Sequence, residues 1–247
     1  MDDEKLLAGR LNDLSKRAQQ RDSYAYSEFL TLYEQSLLNS MRFETDVGTW
    51  GGFDSAERRI ACFKGRDCIY QEDPPVVCIC VTPVSRKYAD ELSHRDFLGS
   101  LIGLGLRREL IGDIILSENT GYVFCLDSIS DFIISELKKI RHTDVICKIV
   151  KEMPTSAGTD PGISRIVISS ERLDAVISAV YKISRSESQK LFGIGKVFIN
   201  GSVKECFTDS PKSGDIVSVR GIGRFIYEGV ASETKKGRLS ALVRVFK

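Results

Sequence analysis

The reading turns on residues 171–196: Glu171-Arg172-Leu173-Asp174-Ala175-Val176-Ile177-Ser178-Ala179-Val180-Tyr181-Lys182-Ile183-Ser184-Arg185-Ser186-Glu187-Ser188-Gln189-Lys190-Leu191-Phe192-Gly193-Ile194-Gly195-Lys196. Leu173, Val176, Ile177 and Val180 recur at helical spacing, so 171–182 is expected to be a helix with one apolar face. Ser184 with Glu187 three positions on spells a capping box, in which each side chain satisfies the other residue's free backbone N–H. It opens a second short helix that Gly193 ends. Residues 196–203 then hold Asn200-Gly201, a pair that accepts the positive φ angles of a two-residue hairpin turn. Further strands are expected at 216–219, 225–227 and 241–246. The product is two short helices on a small twisted sheet, with Leu173, Val176, Leu191, Phe192, Val197 and Ile199 as its core.

Charge singles out the same region. The 247 residues carry a net charge of only +1. Residues 165–247, however, hold 15 Lys and Arg against 8 Asp and Glu, a net of +7, which leaves −6 on residues 1–164. Such asymmetry points to an acidic partner at one end of the chain, nucleic acid above all. Arg185, Lys190 and Lys196 beside a helix N-terminus form a phosphate-seeking face, joined by Arg172 from the first helix. Arg220 and Arg224 flank Gly221-Ile222-Gly223 and add charge from the sheet side. Asp174, Ser184, Gln189 and Asn200 complete the candidate set, although Asp174 could equally hold local backbone or Arg185.

Working back toward the N-terminus, 153–164 contains Pro154, Thr155, Ser156, Gly158, Pro161 and Gly162 and reads as a linker between domains. Residues 76–152 read as strand (76–81), helix, two strands (111–116 and 122–126), helix and strand (145–150). The first helix opens with a Ser93/Asp96 box and stops at Gly105; the strand pair turns at Glu118-Asn119-Thr120-Gly121. The second helix is expected to open with a Ser128/Asp131 box. It should bury Ile129, Phe132, Ile133, Leu137 and Ile140, with Lys138, Lys139 and Arg141 in its last turn. This βαββαβ order is that of the ferredoxin-like fold, which RNA-recognition modules also use. Tyr122 and Phe124 share a strand face, either as base-stacking aromatics or buried against the first domain, and Arg107 and Arg108 are candidate phosphate contacts. In 1–73, Leu6, Leu7, Leu11, Leu14 and Ala18 predict a helix over 3–20. A second helix is expected from Ser27 as N-cap, with Phe29, Leu30, Leu32 and Tyr33; Gly51-Gly52 then breaks the chain and Pro74-Pro75 ends the segment. The fold class is thus α+β: an α/β first domain (1–73), a ferredoxin-like domain (76–152), and a C-terminal domain (165–247) with its core at 170–229.

Several functions are argued against. The composition, 42% hydrophobic and 28% charged, is that of a folded chain, and no apolar run approaches the ~20 residues of a membrane span. An acidic start, Met1-Asp2-Asp3-Glu4, is unlike a secretory signal. Seven cysteines without a Cys-x-x-Cys, and two histidines, predict free thiols in the cytoplasm and no metal. Cys78 and Cys80 read as core thiols. His94-Arg95-Asp96 spells the start of a kinase catalytic loop, but Leu101 stands where that loop needs asparagine, and no Asp-Phe-Gly follows. Gly103-Leu104-Gly105 sits at a helix end and Gly221-Ile222-Gly223 in the small domain, so neither is a nucleotide loop. No cofactor and no catalysis are expected.

Arg172-Leu173-Asp174, Ser184-Arg185, Gly195-Lys196-Val197, Asn200-Gly201, Gly214-Asp215 and Arg220-Gly221, in that order, resemble the S-four RNA-binding domain over 170–229. Such domains also ride on enzymes. The His-x-Gly-His and Lys-Met-Ser-Lys-Ser signatures of a tyrosyl-tRNA synthetase are absent, as is the second Arg-Leu-Asp of a pseudouridine synthase. Taken with Gly51-Gly52, Ala56-Glu57-Arg58, His94-Arg95-Asp96-Phe97-Leu98-Gly99, Arg107-Arg108-Glu109 and Ile111-Gly112-Asp113-Ile114, the whole chain resembles the YlmH family of bacterial RNA-binding proteins. That resemblance implies a non-enzymatic protein that meets ribosomal RNA and tRNA on large ribosomal subunits holding stranded peptidyl-tRNA, in ribosome-associated quality control. Two rival readings stand beside it. One is an RNA-modifying enzyme with an unrecognised site. The other is a cell-division adaptor, anchored by RNA, that binds protein partners through its N-terminal domains.

Overall fold

In the computed structural model, which describes residues 2–151, 162–234 and 237–246, α1 (Asp2–Arg21) packs on a three-stranded antiparallel sheet. Its strands are β1 (Tyr24–Leu30), β2 (Asp46–Trp50) and β3 (Arg59–Lys64), in the order β1-β3-β2. Leu11 and Ala18 of the helix meet Ala25, Leu30, Ala61 and Phe63 of the sheet. The helix expected from Ser27 begins one turn later, as α2 (Leu32–Ser40). Its N-cap is Thr31, whose N–H donates to Glu34 Oε2 at 2.7 Å in a capping box that the apolar run Phe29–Tyr33 obscures. Ser27 lies instead in β1, at a bulge between Tyr26 and Phe29, where its hydroxyl accepts the Ala61 N–H at 2.8 Å. That bond fills the gap the bulge leaves in the ladder.

The second sheet comprises β4 (Val76–Pro83), β5 (Ile111–Ser117), β6 (Thr120–Leu126), β7 (Lys139–Ile140) and β8 (Thr143–Val150). Its order is β5-β6-β4-β8-β7 and every pairing is antiparallel. α3 (His94–Gly103) and α4 (Ser130–Glu136) bury Phe97, Leu101 and Ile133 against Ile79, Val81 and Val123. The Asp96 carboxylate accepts from Ser93 N and Oγ at 2.9 and 2.6 Å, as the box at that position predicts. Glu118 and Asn119 take the positive φ angles, 45° and 65°, of a two-residue hairpin turn. At α4 the expectation fails. A 3₁₀ turn (Asp127–Ile129) precedes the helix, Ser130 rather than Ser128 bonds back to Asp127 O at 2.8 Å, and Phe132 is exposed. Ile140 belongs to β7 and Arg141 to its turn, because Lys139–Ile140 finds ladder partners in β8. Lys138 also lies past the end of α4, not in its last turn, but its Nζ reaches back to donate to Ile134 O at 3.1 Å.

These two sheets form one compact unit, Met1–Gly158, and Thr159–Lys247 forms another. The second is built on β9 (Ile163–Ile168), α5 (Leu173–Tyr181), α6 (Arg185–Gly193), β10 (Val197–Ile199), β11 (Ser202–Val203), β12 (Ile216–Val219), β13 (Gly223–Glu233) and β14 (Leu239–Phe246). The six strands run antiparallel in the order β11-β10-β12-β13-β14-β9. Leu173, Val176, Ile177 and Phe192 of the helices pack on Val197, Val217, Phe225, Tyr227 and Val243. Ile163 and Ser164, expected in the linker, pair in β9 with Arg244 and Val243; residues 153–161 of that linker lie outside the described residues. β13 runs past the expected 225–227, through bulges at Tyr227/Gly229 and Val230/Ser232. The N-terminus of α5 is closed by the following loop, since Leu173 N and Asp174 N donate to Asp209 O and Phe207 O at 2.8 and 3.2 Å. No helix among the described residues is long and apolar enough to cross a membrane.

Candidate nucleic-acid interface

At the start of α5 the Asp174 side chain is fully buried. Three side chains from two helices converge on it. Arg172 donates through Nε and Nη2, each at 3.2 Å; Arg185 through Nη2 at 3.0 and 3.2 Å; Gln189 through Nε2 at 2.6 Å. Burial alone would push this carboxyl up, but the bonds from Gln189, Arg185 and Arg172 outweigh it and hold the group below the usual carboxylate range. The two guanidiniums stay at the surface, their side chains 36% and 46% exposed. A hidden carboxylate therefore fixes two cations in place. Nε and Nη1 of Arg185 and Nη1 of Arg172 take no part in the contact and can donate outward. Arg172 also lies over the Phe207 ring at 5.3 Å, and that ring meets Phe192 edge-on.

The other sequence candidates separate into surface and scaffold. Lys190 and Lys196 are exposed. Lys196 N donates to Leu191 O at 3.0 Å and Lys196 O accepts from Arg220 N at 2.9 Å, so the end of α6, Lys196 and Arg220 are contiguous. The Arg220 guanidinium rests over the Phe198 ring at 5.2 Å. Arg224 is half-buried over Phe246 at 4.2 Å, where burial pulls its pKa below the usual guanidinium range. Asn200 staples the hairpin, with Nδ2 on Asp215 Oδ1 and Oδ1 accepting from Ile216 N, both at 2.9 Å. At α6 the capping box itself occupies the helix start. Ser184 N donates to Glu187 Oε2 at 2.8 Å, and the Ser184 bonds hold the Glu187 carboxyl low. Asp174, Gln189, Ser184, Asn200 and Arg224 thus position or pack, and the outward cations are Arg172, Arg185, Lys190, Lys196 and Arg220.

Of the second candidate set, Tyr122 and Phe124 take the buried alternative, Arg108 turns to backbone, and Arg107 stays exposed. Tyr122 and Phe124 are buried beside Cys78, with the Phe53 ring 4.8 Å from Phe124. A Cβ at Gly52, whose φ is +97°, would lie 2.2 Å from Phe124, so glycine is what lets this loop close over the sheet. In this arrangement the two rings are covered. Arg108 donates to Gly112 O at 3.1 Å and to Ile111 O, and Arg107 pairs with Glu28. Arg58, which the sequence reading did not assign, donates to Ile111 O and Phe29 O, both at 3.0 Å. Asp113 accepts from Glu57 N and Arg58 N at 2.5 and 3.2 Å, while burial raises its carboxyl above the usual range. The motifs Ala56-Glu57-Arg58, Arg107-Arg108-Glu109 and Ile111-Gly112-Asp113 therefore join the two sheets of the first unit.

The thiols are sheltered. Burial pushes Cys62 and Cys147 up to about 11 and Cys78 and Cys125 to about 12, and only Cys206 is exposed. Among the described residues no group of three or more His, Cys, Asp or Glu could hold a metal ion.

Fold and site together define an α+β protein that presents anchored guanidiniums on a basic unit and a bolted pair of sheets on an acidic one. Residues 77–154 match the family described as "Putative RNA-binding domain in YlmH". A relative from Bacillus subtilis (strain 168), "Ribosome-associated protein quality control protein P2", is 30% identical over 244 residues, covering 96% of this chain and 93% of the relative. The chain belongs to the YlmH family. A solved structure, "Cell division protein ylmH from Streptococcus pneumoniae", aligns with a TM-score of 0.51 at 20% identity, over 64% of this chain and 95% of that one. At that identity the likeness speaks for the fold.

Proposed function

We propose that this chain is a non-catalytic, cytoplasmic RNA-binding protein whose C-terminal unit docks on structured ribosomal RNA or tRNA. The observation that carries the reading is the buried Asp174 carboxylate holding Arg172 and Arg185 half in solvent on a segment of net charge +7. Holding a guanidinium in place before binding removes part of the ordering cost of a phosphate contact. Arg172 and Arg185 would donate to phosphate oxygens, and Lys190, Lys196 and Arg220 would add sequence-independent attraction.

The domain assignment belongs to the same proposal. Two short helices on an antiparallel sheet support an S-four domain within 165–247. In 76–152, the four long strands stand in the spatial order second-third-first-fourth, which supports a ferredoxin-like domain carrying β7 as an added edge. Residues 1–73 then form a separate N-terminal domain bolted to it. The name of the Bacillus subtilis relative supports a place in ribosome-associated quality control; that the RNA belongs to the large ribosomal subunit with stranded peptidyl-tRNA is what the YlmH resemblance implies and forms part of the proposal.

The test is a titration of the full chain against purified large-subunit ribosomal RNA at several salt concentrations. Arg185→Ala should weaken binding and lower the slope of log affinity against log salt by roughly 0.7–0.9. Unchanged affinity and slope would remove this face from the RNA.

A further inference from the structure

Behind Arg185 the second unit carries a groove of about 290 Å³. Its floor is one face of α5, where Ala175, Ser178 and Ala179 stand at i, i+3 and i+4. Three small side chains in that register leave a trough, while Leu173, Val176 and Ile177 on the opposite face fill the core. Ser169, just past β9, forms one wall. Arg185 enters from α6, and Arg238 from the position directly before β14. Arg238 N donates to Thr234 Oγ1 at 3.0 Å, and Thr234 N donates to Arg238 O at 2.7 Å.

The charge of the lining is one-sided. Besides Val167 and the two alanines it has two guanidiniums, two hydroxyls, of which Ser178 Oγ already donates to Ile183 O at 2.6 Å, and no carboxylate. Asp174, the acid that holds Arg185, is fully buried and does not line the groove. Among the described residues no carboxylate forms an ion pair with Arg238. The volume is at the lower limit of small-molecule pockets, about 300 Å³, which suits a phosphate and its sugar better than a cofactor.

We propose that this groove is a phosphate clamp in which Arg185 and Arg238 grip one backbone phosphate of a bound RNA strand. The clamp carries the RNA path from the Asp174 cluster across α5 onto the β13–β14 ribbon. Arg238 lies beyond 170–229, the stretch that resembles an S-four domain, so the ribbon becomes part of the binding surface. The inference rests on the RNA-binding reading above and adds to it a residue, an element and a direction.

The experiment uses the full chain and large-subunit ribosomal RNA, with Arg238→Ala, Ser169→Glu and Arg185→Ala compared over a salt series, and thermal melts as the folding control. Ser169 is exposed, so its carboxylate variant places a negative charge in the groove without touching the core. Arg238→Ala should weaken RNA binding several-fold and lower the salt slope by roughly 0.7–0.9. Ser169→Glu should weaken binding at least as much. If both are silent while Arg185→Ala weakens binding, the clamp is wrong and the RNA-binding reading stands. If all three are silent, the face carries no RNA and both fall. A parallel titration with inorganic phosphate covers the remaining case: loss of phosphate binding in Arg238→Ala with RNA affinity unchanged would reduce the groove to a free-anion site and overturn the clamp.

Discussion

Asp113 and Asp174 invite direct comparison, since each sits among arginines on a different unit. Around Asp174, Arg172 and Arg185 give some donors to the carboxylate and keep the rest in solvent. Around Asp113, Arg58 and Arg108 give their donors to the backbone carbonyls of Phe29, Ile111 and Gly112. The carboxylates respond in opposite directions: Asp174 is held below the usual range by its side-chain partners, and Asp113 is raised by burial. The same residue types thus build a binding surface in one unit and a joint in the other. What decides is where the guanidinium protons go.

The largest test of this contrast is Arg58→Ala. It strips donors from Phe29 O and Ile111 O and a cation from beside Asp113, and should cost about 3 kcal/mol in urea unfolding of the first unit. The RNA salt slope should not move; a lowered slope would make the joint a surface after all. Asp174→Ala should cost less, about 2 kcal/mol, because the half-exposed guanidiniums it releases can turn to water. It should still weaken RNA binding in the folded protein, since the two cations lose their anchor. Wild-type affinity in a folded Asp174→Ala protein would show that anchoring is irrelevant.

Acid unfolding separates the pair by sign. Asp174, with its lowered pKa, adds stability that is present above the unfolded carboxyl pKa of about 3.9 and is lost as pH falls below it toward the folded value. Asp113, with its raised pKa, is the reverse: between about 3.9 and its higher folded value, acidification favours the folded state. Unfolding free energies measured from neutral pH to about pH 3 should therefore fall less steeply in Asp174→Asn than in wild type, and more steeply in Asp113→Asn. Parallel curves would contradict both assignments. The smallest effect belongs to Lys196→Ala. Stability should stay within about 0.5 kcal/mol, and the salt slope should drop by a little under about one unit.

Much of the second unit could be read from residues alone because its signals are local. The Ser184/Glu187 box and the Asn200-Gly201 turn complete themselves within a few positions, and the structure places them as expected. β1 escaped because Phe29 and Leu30 end a strand while Leu32 and Tyr33 begin a helix, so one apolar run spans two periodicities. β9 escaped because it begins at Ile163, directly after Pro161-Gly162. Between stacking and burial for Tyr122 and Phe124 the sequence could not choose for a nonlocal reason: the loop that covers them lies some seventy residues earlier. Among the site residues, chemistry type was readable but direction was not. Arg108 and Arg185 look alike in a sequence; only the carbonyls within reach of one and the carboxylate behind the other tell them apart.

The loop that closes α5 has a practical use. Its Cys206 is exposed, one position before Phe207, whose carbonyl receives the Asp174 N–H and whose ring supports Arg172. Thiol reagents attack thiolates, and burial keeps Cys62, Cys78, Cys125 and Cys147 protonated at neutral pH. A maleimide dye added to the unmodified protein should therefore mark Cys206 first. The chain supplies its own attachment point for a reporter, one residue from the ring that carries the Arg172 guanidinium.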